Sequence, residues 1–251
     1  MNLIYLILLK IAKLLIFIVP IKYKRNHKYL NKNQIINTEM ILSTLKDKFN
    51  PDYILDIGCG HGEWFLRSIK FFPNSKYLLF DGNKLNQKKL STLKKKYKNL
   101  FYKICLLSDT VKELKFFNMG YGSSVYEEKT NFTRSVEYIT SSTLEIELSS
   151  FNFKTTNNMI KLDVQGSEID ILNGLGKFIS FFEIIILETA VKEYNKGSPL
   201  FVDVIKFMNE KNYTLYDVCD LKRLGMNNSF LIQLDAVFIR KNSSVLDLDI
   251  I

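Results

Sequence analysis

Residues 53–66 read Tyr-Ile-Leu-Asp-Ile-Gly-Cys-Gly-His-Gly-Glu-Trp-Phe-Leu, and no other stretch narrows the fold as far. An apolar run carrying one acid, Asp56, stops at glycines on alternate positions, Gly58, Gly60 and Gly62. Helical spacing starts at Glu63. A strand that turns through glycines onto a helix start suits a nucleotide-like ligand. The missing side chains let the ligand reach the backbone, and free N–H groups at a helix N-terminus favour a carboxylate or phosphate. The spacing then discriminates between ligands. A dinucleotide fingerprint requires G-x-G-x-x-G, but position 63 is Glu, so the third glycine falls one residue early.

The rest of the chain alternates in the same manner. The pattern predicts a helix over 34–49, then strand 53–57 with helix 62–72, strand 76–81 with helix 84–97, and strand 101–107. Extra strands are expected at 111–117 and 134–148. Strand 159–164 then meets helix 167–179, strand 182–188 meets helix 198–211, and strands 213–219 and 231–240 close the chain. Such alternation specifies an α/β fold, a doubly wound and mostly parallel sheet, and the last two strands imply an antiparallel edge. Ligands of such sheets bind beyond the strand carboxyl ends, near the point where strand order reverses.

Acids stand at those positions. Asp81 ends strand 76–81, twenty-five residues after Asp56, where a carboxylate can take two hydrogen bonds from a ribose diol. A turn role before Gly82 competes with that assignment. Ser108 and Asp109 follow the third strand and are placed to meet an adenine edge. Lys161, Asp163, Gln165 and Glu168 interrupt an otherwise apolar strand-to-helix junction, which is costly unless the charges are paired or functional. Asp163 and Glu168 are the candidate catalytic acids, and Lys161 with one of them as a structural pair is the alternative. Strand 182–188 also ends in an acid, Glu188. The two histidines, His27 in the basic tail and His61 in the glycine loop, give no metal-ligand set, and Trp64 is expected in the core.

The net charge of +9 invites a nucleic-acid reading, yet its distribution opposes one. Residues 1–32 hold seven Lys or Arg and no acid, leaving +2 for the remainder. A second lysine cluster, from Lys88 to Lys98, fits the solvated face of a helix. Cys59, Cys105 and Cys219 show no C-x-x-C spacing and read as reduced thiols of a cytoplasmic protein. Residues 3–21 are almost wholly apolar but contain Lys10 and Lys13, each costing about 2.5–3.5 kcal/mol at a bilayer centre. Three residues apart, the lysines share one helical face. A helix lying on an anionic membrane surface fits that pattern, as does a helix docked on the enzyme or a homodimer partner. A spanning helix fits less well. The division expected is an N-terminal segment over 1–32 and a globular domain over 33–251.

Taken together, the motifs resemble those of the FkbM-type methyltransferases over nearly all of residues 50–240. The acid–x–Gly–x–Gly–x–Gly loop resembles the first motif of S-adenosylmethionine-dependent enzymes generally. The family's pieces are Leu55 to Gly58, Asp81 to Asn83, Leu107 to Asp109, Gly122 to Ser124, Ile160 to Glu168, Ile186 to Glu188 and Asp235 to Arg240. The most specific is Lys-Leu-Asp-Val-Gln-Gly-Ser-Glu at 161–168. The resemblance implies a Rossmann-like class I methyltransferase that uses S-adenosylmethionine to methylate a hydroxyl of a sugar, glycan or related small-molecule metabolite. Asp56, Gly58, Gly60, Gly62, Asp81, Ser108 and Asp109 would serve the cofactor. Two departures stand out. Gly60 and His61 replace the family's usual Asn and aliphatic residue, and Ser167 occupies a position on the acceptor side that is often aromatic or small. A nicotinamide-dependent oxidoreductase is the rival enzyme, disfavoured by the early glycine and the lack of a Tyr-x-x-x-Lys pair. A non-catalytic binding protein retaining the fold is the rival of another class.

Overall fold

The computed structural model describes residues 36–247 apart from 121, 152, 154–156 and 225–228. The N-terminal segment 1–32 therefore lies outside the described residues. No helix among the described residues is long and apolar enough to cross a membrane.

Seven strands form the main sheet: β1 (Tyr53–Ile57), β2 (Lys76–Asp81), β3 (Leu100–Ile104), β6 (Asn158–Leu162), β7 (Phe182–Ala190), β8 (Tyr213–Leu224) and β9 (Phe230–Arg240). Their order is β3-β2-β1-β6-β7-β9-β8. The first five are parallel, and β9 runs antiparallel to both β7 and β8. The antiparallel pairing expected at one edge is made by β9, inserted one place in from that edge. Strand order reverses between β1 and β6, so their carboxyl ends open the crevice in which such a sheet binds its ligand.

Alternation along the strands sends side chains to two separate cores. Leu55, Ile57, Ile160, Leu162, Ile185 and Leu187 pack with α4 (Leu144–Leu148), α5 (Glu168–Asn173) and α6 (Phe201–Glu210) on one face. Ile54, Tyr77, Leu79, Met159, Ile184 and Ile186 pack with α1 (Thr38–Leu45), α2 (Glu63–Ser68) and α3 (Gln87–Lys96) on the other. Covering both faces explains why β1, β2 and β6 lack a regular polar alternate, with Asp56, Asn158 and Lys161 as buried exceptions. On α3 only Leu90 and Leu93 are buried. Its lysines are exposed, as the solvated-face reading required.

The segment between β3 and β6 carries a two-stranded antiparallel sheet, β4 (Glu113–Asn118) with β5 (Ser135–Thr140). A single strand over 134–148 is not formed. The sequence Leu-Glu-Ile-Glu-Leu at 144–148 satisfies strand alternation and helical i,i+4 spacing equally well. The Thr143 hydroxyl accepts the Ile146 N–H at 3.2 Å, capping a helix, and it buries Leu144 and Leu148 while Ile146 is left 53% exposed. Cap chemistry decides where periodicity is ambiguous. This insertion folds back over the crevice: Asn118 bonds Asn83 at 3.1 Å, and the Ser124 hydroxyl donates to the Gln165 carbonyl at 2.8 Å.

Candidate active site

The glycine loop is built as much by its neighbours as for a ligand. Gly58, Gly60 and Gly62 all adopt left-handed backbone, with φ of 74°, 54° and 83°. A Cβ on Gly58 would sit 2.8 Å from the Asp163 carbonyl carbon and closer still to its oxygen. On Gly62 it would meet Leu93 Cδ1 at 2.5 Å. These two glycines let β1 and α2 pack against β6 and α3. Gly60 differs, because the nearest atom to its Cβ would be Glu63 Oε2 at 3.6 Å. The space beside Gly60 is thus free of protein backbone, which is the cradle a cofactor's amino-acid end needs.

Asp81 holds that loop in place. Its Oδ2 accepts the Gly60 N–H at 2.7 Å, and its Oδ1 accepts the Asn83 N–H at 2.8 Å and the Asn86 amide at 2.9 Å. The turn role expected for this carboxylate is therefore filled by Asp81. Three acceptor positions are taken, and Oδ2 keeps a second lone pair for a ribose hydroxyl. Burial raises the Asp81 carboxyl, while those three hydrogen bonds pull it down.

Asp56 lies deeper than the loop assignment required. It is 1% exposed, its Oδ2 has no hydrogen-bond partner, and burial pushes its carboxyl up to about 7. Ser108 is buried and donates to Asp109 Oδ1 at 2.9 Å. Lys112 donates to the same oxygen at 2.6 Å. Hydrogen bonds from Lys112 and Ser108 together hold the Asp109 carboxyl down to about 2. Trp64 is in the core as expected, 5% exposed. Cys59, Cys105 and Cys219 are free thiols.

The two candidate catalytic acids separate in the structure. Glu168, 4% exposed, turns back on its own loop: Oε1 accepts the Val164 N–H at 3.1 Å, and both oxygens accept the Gly166 N–H at 3.1–3.2 Å. Burial raises its carboxyl to about 7 against the pull of those bonds. This is the geometry of a loop cap, with three acceptor positions of Glu168 used within its own loop. Ser167 is likewise buried, bonding the Val164 carbonyl at 3.2 Å, so the departure from the family at 167 does not reach the acceptor side.

Asp163 is oriented otherwise. Its side chain is 38% accessible, and Lys161 Nζ approaches it at 3.5 Å and Asp235 at 3.4 Å. The carboxamide of Gln165 donates to Asp163 Oδ1 at 2.9 Å and to Glu188 Oε2, and Lys222 donates to Glu188 Oε1. Asp163 and Glu188 thus stand at the ends of adjacent strands as a bridged carboxyl pair. Burial would raise Asp163, but Lys161, the bond from Glu188 and Lys222 hold it below the usual carboxylate range. Burial and the Asp163 charge both push Glu188 well up. Of the two carboxyls, Glu188 is therefore the one that takes up a proton more readily. Lys161 would lose its proton on burial alone, but Asp235, Asp163 and Glu188 around it raise it above its ordinary value.

Sequence reasoning marked Glu188 only as a strand-end acid and did not place Lys222 or Gln233 near the site. The signal for Glu188 was the repeated pattern of an acid closing a parallel strand. The other two sit on antiparallel strands whose register has bulges between Cys219 and Lys222 and between Lys222 and Arg223, so no spacing rule could locate them. Cys219, Asp220 and Asp235 bring ligand atoms within 4.8 Å of one another. The Lys161 ammonium already occupies Asp235, and Thr38 donates to Asp220, so a cation there would compete with the protein's own donors.

Comparison with known proteins identifies a family. The methyltransferase FkbM domain matches residues 48–215, shorter at the carboxyl end than the motif resemblance over 50–240. No curated protein sequence matches the chain significantly. Among solved structures, the chain is similar to precorrin-6y C5,15-methyltransferase from Geobacter metallireducens GS-15 at a TM-score of 0.45 and 8% identity, covering 83% of this chain and 92% of that one. It is similar to 1,6-didemethyltoxoflavin-N1-methyltransferase of Burkholderia thailandensis, solved with S-adenosylhomocysteine, at 0.46 and 8%, covering 81% and 76%. A third is M. capricolum TrmK with S-adenosyl-homocysteine, at 0.44 and 12%, covering 80% and 67%. The family match covers most of the chain, and the open cradle at Gly60 with the free lone pair of Asp81 fits the family's cofactor. The chain belongs to the FkbM methyltransferase domain family and is an S-adenosylmethionine-dependent methyltransferase.

Proposed function

We propose that this enzyme methylates an oxygen, the hydroxyl of a sugar, glycan or related metabolite, with Asp163 as the residue that receives the hydroxyl's proton. The observation carrying this is the Asp163–Glu188 pair beside the glycine loop, where the Asp163 main chain donates to the Ile57 carbonyl at 2.9 Å. S-adenosylmethionine, when bound, supplies an electrophilic methyl group on a sulfonium. The chain's own residues then have one proton to manage. A hydroxyl hydrogen-bonded to Asp163 is held in line, and its proton becomes strongly acidic as the new carbon–oxygen bond forms. A carboxylate of low proton affinity is then a sufficient acceptor. Lys161, 3.5 Å from Asp163, and Lys222, paired with Glu188, offset the charge of the carboxyl pair throughout.

The Glu168 carboxyl is assigned to holding the 163–168 turn, and through it the position of Asp163. A small-molecule or glycan acceptor agrees with the site's charged, hydrogen-bonding character, and nucleic acid is not proposed. The seven positive charges of residues 1–32 support an acceptor presented at an anionic membrane face of the cytoplasm, such as a lipid-linked glycan. The test is donor-dependent methylation of extracted cell-envelope glycans by the full-length protein and by Asp163→Asn. A positioned base contributes about 10²–10⁴-fold, so kcat should fall by that much with donor affinity nearly unchanged. Full turnover in Asp163→Asn would remove the proton-accepting role. Labelling confined to a nucleic-acid or amine substrate would remove the hydroxyl reading.

A further inference from the structure

Gln165 is the residue on which the site's parts converge. It is not glycine, yet its φ is 55°, a left-handed conformation that an ordinary side chain holds only when its surroundings enforce it. Two side chains from separate segments do so. Ser124 of the insertion donates to the Gln165 carbonyl at 2.8 Å, and Asn195 donates to the same oxygen at 2.6 Å. The backbone clamp aims the carboxamide at the carboxyl pair, and a second set of contacts fixes which way round it lies. Its nitrogen faces only acceptors, Asp163 and Glu188. Its oxygen faces only donors: the Tyr194 hydroxyl, and the Gln233 amide at 3.4 Å. Gln233 also donates to the Tyr194 oxygen, so the phenol's single proton is directed at Gln165.

All four hydrogen-bonding positions of the Gln165 amide are thereby used, two donated and two accepted. A flip of the amide would set its oxygen against two carboxylates and its nitrogen against two donors. The arrangement has one stable sense, and Tyr194 with Gln233 impose it from outside the pair.

We propose that Tyr194 and Gln233 are positioning residues that lock the Gln165 carboxamide as a double donor to Asp163 and Glu188, and so set how readily the pair takes up the acceptor's proton. This rests on the reading of Asp163 as the proton acceptor only for its catalytic consequence. The lock itself stands on hydrogen-bond geometry. The direction of its effect follows from charge. Two N–H donors stabilise an ionised pair. If the amide is released and turns, its oxygen accepts from a carboxyl O–H instead, which favours the protonated pair. The other charged groups facing the pair are Lys161 from β6, Lys222 from β8, Asp235 from β9, Asp56 from β1 and Glu168 from α5, and none of them is altered by changing Tyr194 or Gln233.

The experiment is a pH titration of the Asp and Glu side-chain carboxyls by carbon-13 NMR, in the full-length enzyme saturated with S-adenosylhomocysteine. Wild type is compared with Tyr194→Phe and Gln233→Met. Each variant should raise the proton affinity of the pair by about tenfold, or one pH unit, with unchanged calorimetric affinity for S-adenosylmethionine. Gln165→Glu, which removes the double donor itself, should raise it further. If Tyr194→Phe and Gln233→Met both titrate as wild type, the lock is overturned, whatever Asp163 does in turnover. If both shift while Asp163→Asn keeps full activity on glycans, the lock stands and the proton-acceptor assignment falls. Should Tyr194→Phe fail to fold, Gln233→Met alone decides by the same shift.

Discussion

The three glycines of the loop make one motif in the sequence but answer to different constraints in the structure, and comparing Gly58→Ala with Gly60→Ala tests that division. A methyl on Gly58 would stand 2.8 Å from the carbonyl carbon of Asp163, nearer to the oxygen, and 3.0 Å from Val164 Cγ1. Two of those atoms are backbone, tied by the Asp163 N–H to the Ile57 carbonyl at 2.9 Å. The carbonyl can retreat only by breaking the β1–β6 contact at the strand ends. Overpacking of this kind costs about 1–3 kcal/mol and occasionally more. The left-handed backbone adds about 1–2 kcal/mol for a residue bearing a Cβ. Gly60→Ala meets nothing nearer than 3.6 Å and carries only the backbone cost. Thermal unfolding should therefore lower Tm by about 2–8 °C for Gly60→Ala and by roughly twice that or more for Gly58→Ala, at about 2–4 °C per kcal/mol for a domain of this size. Calorimetry with S-adenosylhomocysteine should rank folded Gly60→Ala at least tenfold weaker than wild type, because its methyl occupies space left to the ligand. Wild-type affinity in Gly60→Ala would show that the cofactor does not approach the backbone there. Wild-type stability in Gly58→Ala would refute the packing argument outright.

Other expectations separate binding from folding. Asp81→Ala frees the Gly60 and Asn83 N–H groups and the Asn86 amide together, so donor affinity and Tm should fall together, each lost charge-assisted bond costing about 1.5–3 kcal/mol. A variant that loses affinity alone would make Asp81 a ligand contact without a structural share. Asp56 carries a pH signature. Its folded carboxyl is raised to about 7 from 3.8, so its contribution to stability is complete below pH 4 and declines as pH rises to about 7. The stability of Asp56→Asn measured by urea unfolding should accordingly be less dependent on pH between 4 and 8, and parallel curves would count against the burial argument. Liposome flotation of the full-length chain should strengthen with anionic lipid and weaken with salt, and equal flotation of protein lacking residues 1–28 would assign the segment another role.

The scaffold was legible because both of its signals are local. Strands 53–57 and 76–81 coincide with β1 and β2 to the residue, since each is an apolar run ending in an acid or a glycine turn. The candidate site was signalled at the loop, where spacing and backbone freedom coincide, and at Asp163, where a charge interrupts an apolar strand. It was illegible where contacts come from distant elements. Nothing near Glu168 shows that its carboxylate returns to Val164 and Gly166; the same residues would suit an acid facing a substrate. Nothing in the spacing of Tyr194 or Gln233 places them on Gln165, because their meeting depends on the 190–200 loop and on a bulged antiparallel register. The Leu-Glu-Ile-Glu-Leu segment failed for a simpler reason: its periodicity fits two structures, and one hydroxyl cap selects between them.

One face of this sheet carries Asp56, Lys161, Glu188 and Asp235, each 6% exposed or less, where apolar residues would pack with less desolvation cost. A buried ion pair is weak evidence for stability, since removing it to well-packed hydrophobes is often neutral or favourable. These charges also do not scatter through the core. Lys161 lies beside Asp56 in the β1–β6 register, and Glu188 lies beside Asp235 in the β7–β9 register. Both pairs sit near the carboxyl ends of β1, β6 and β7, on the level of the crevice. Of that row, Lys161, 3.5 Å from Asp163, favours the Asp163 anion, and the acids Asp56 and Asp235 oppose it. Stability argues against these residues and position argues for them, so their placement at the level of the crevice is explained by the site and not by the core.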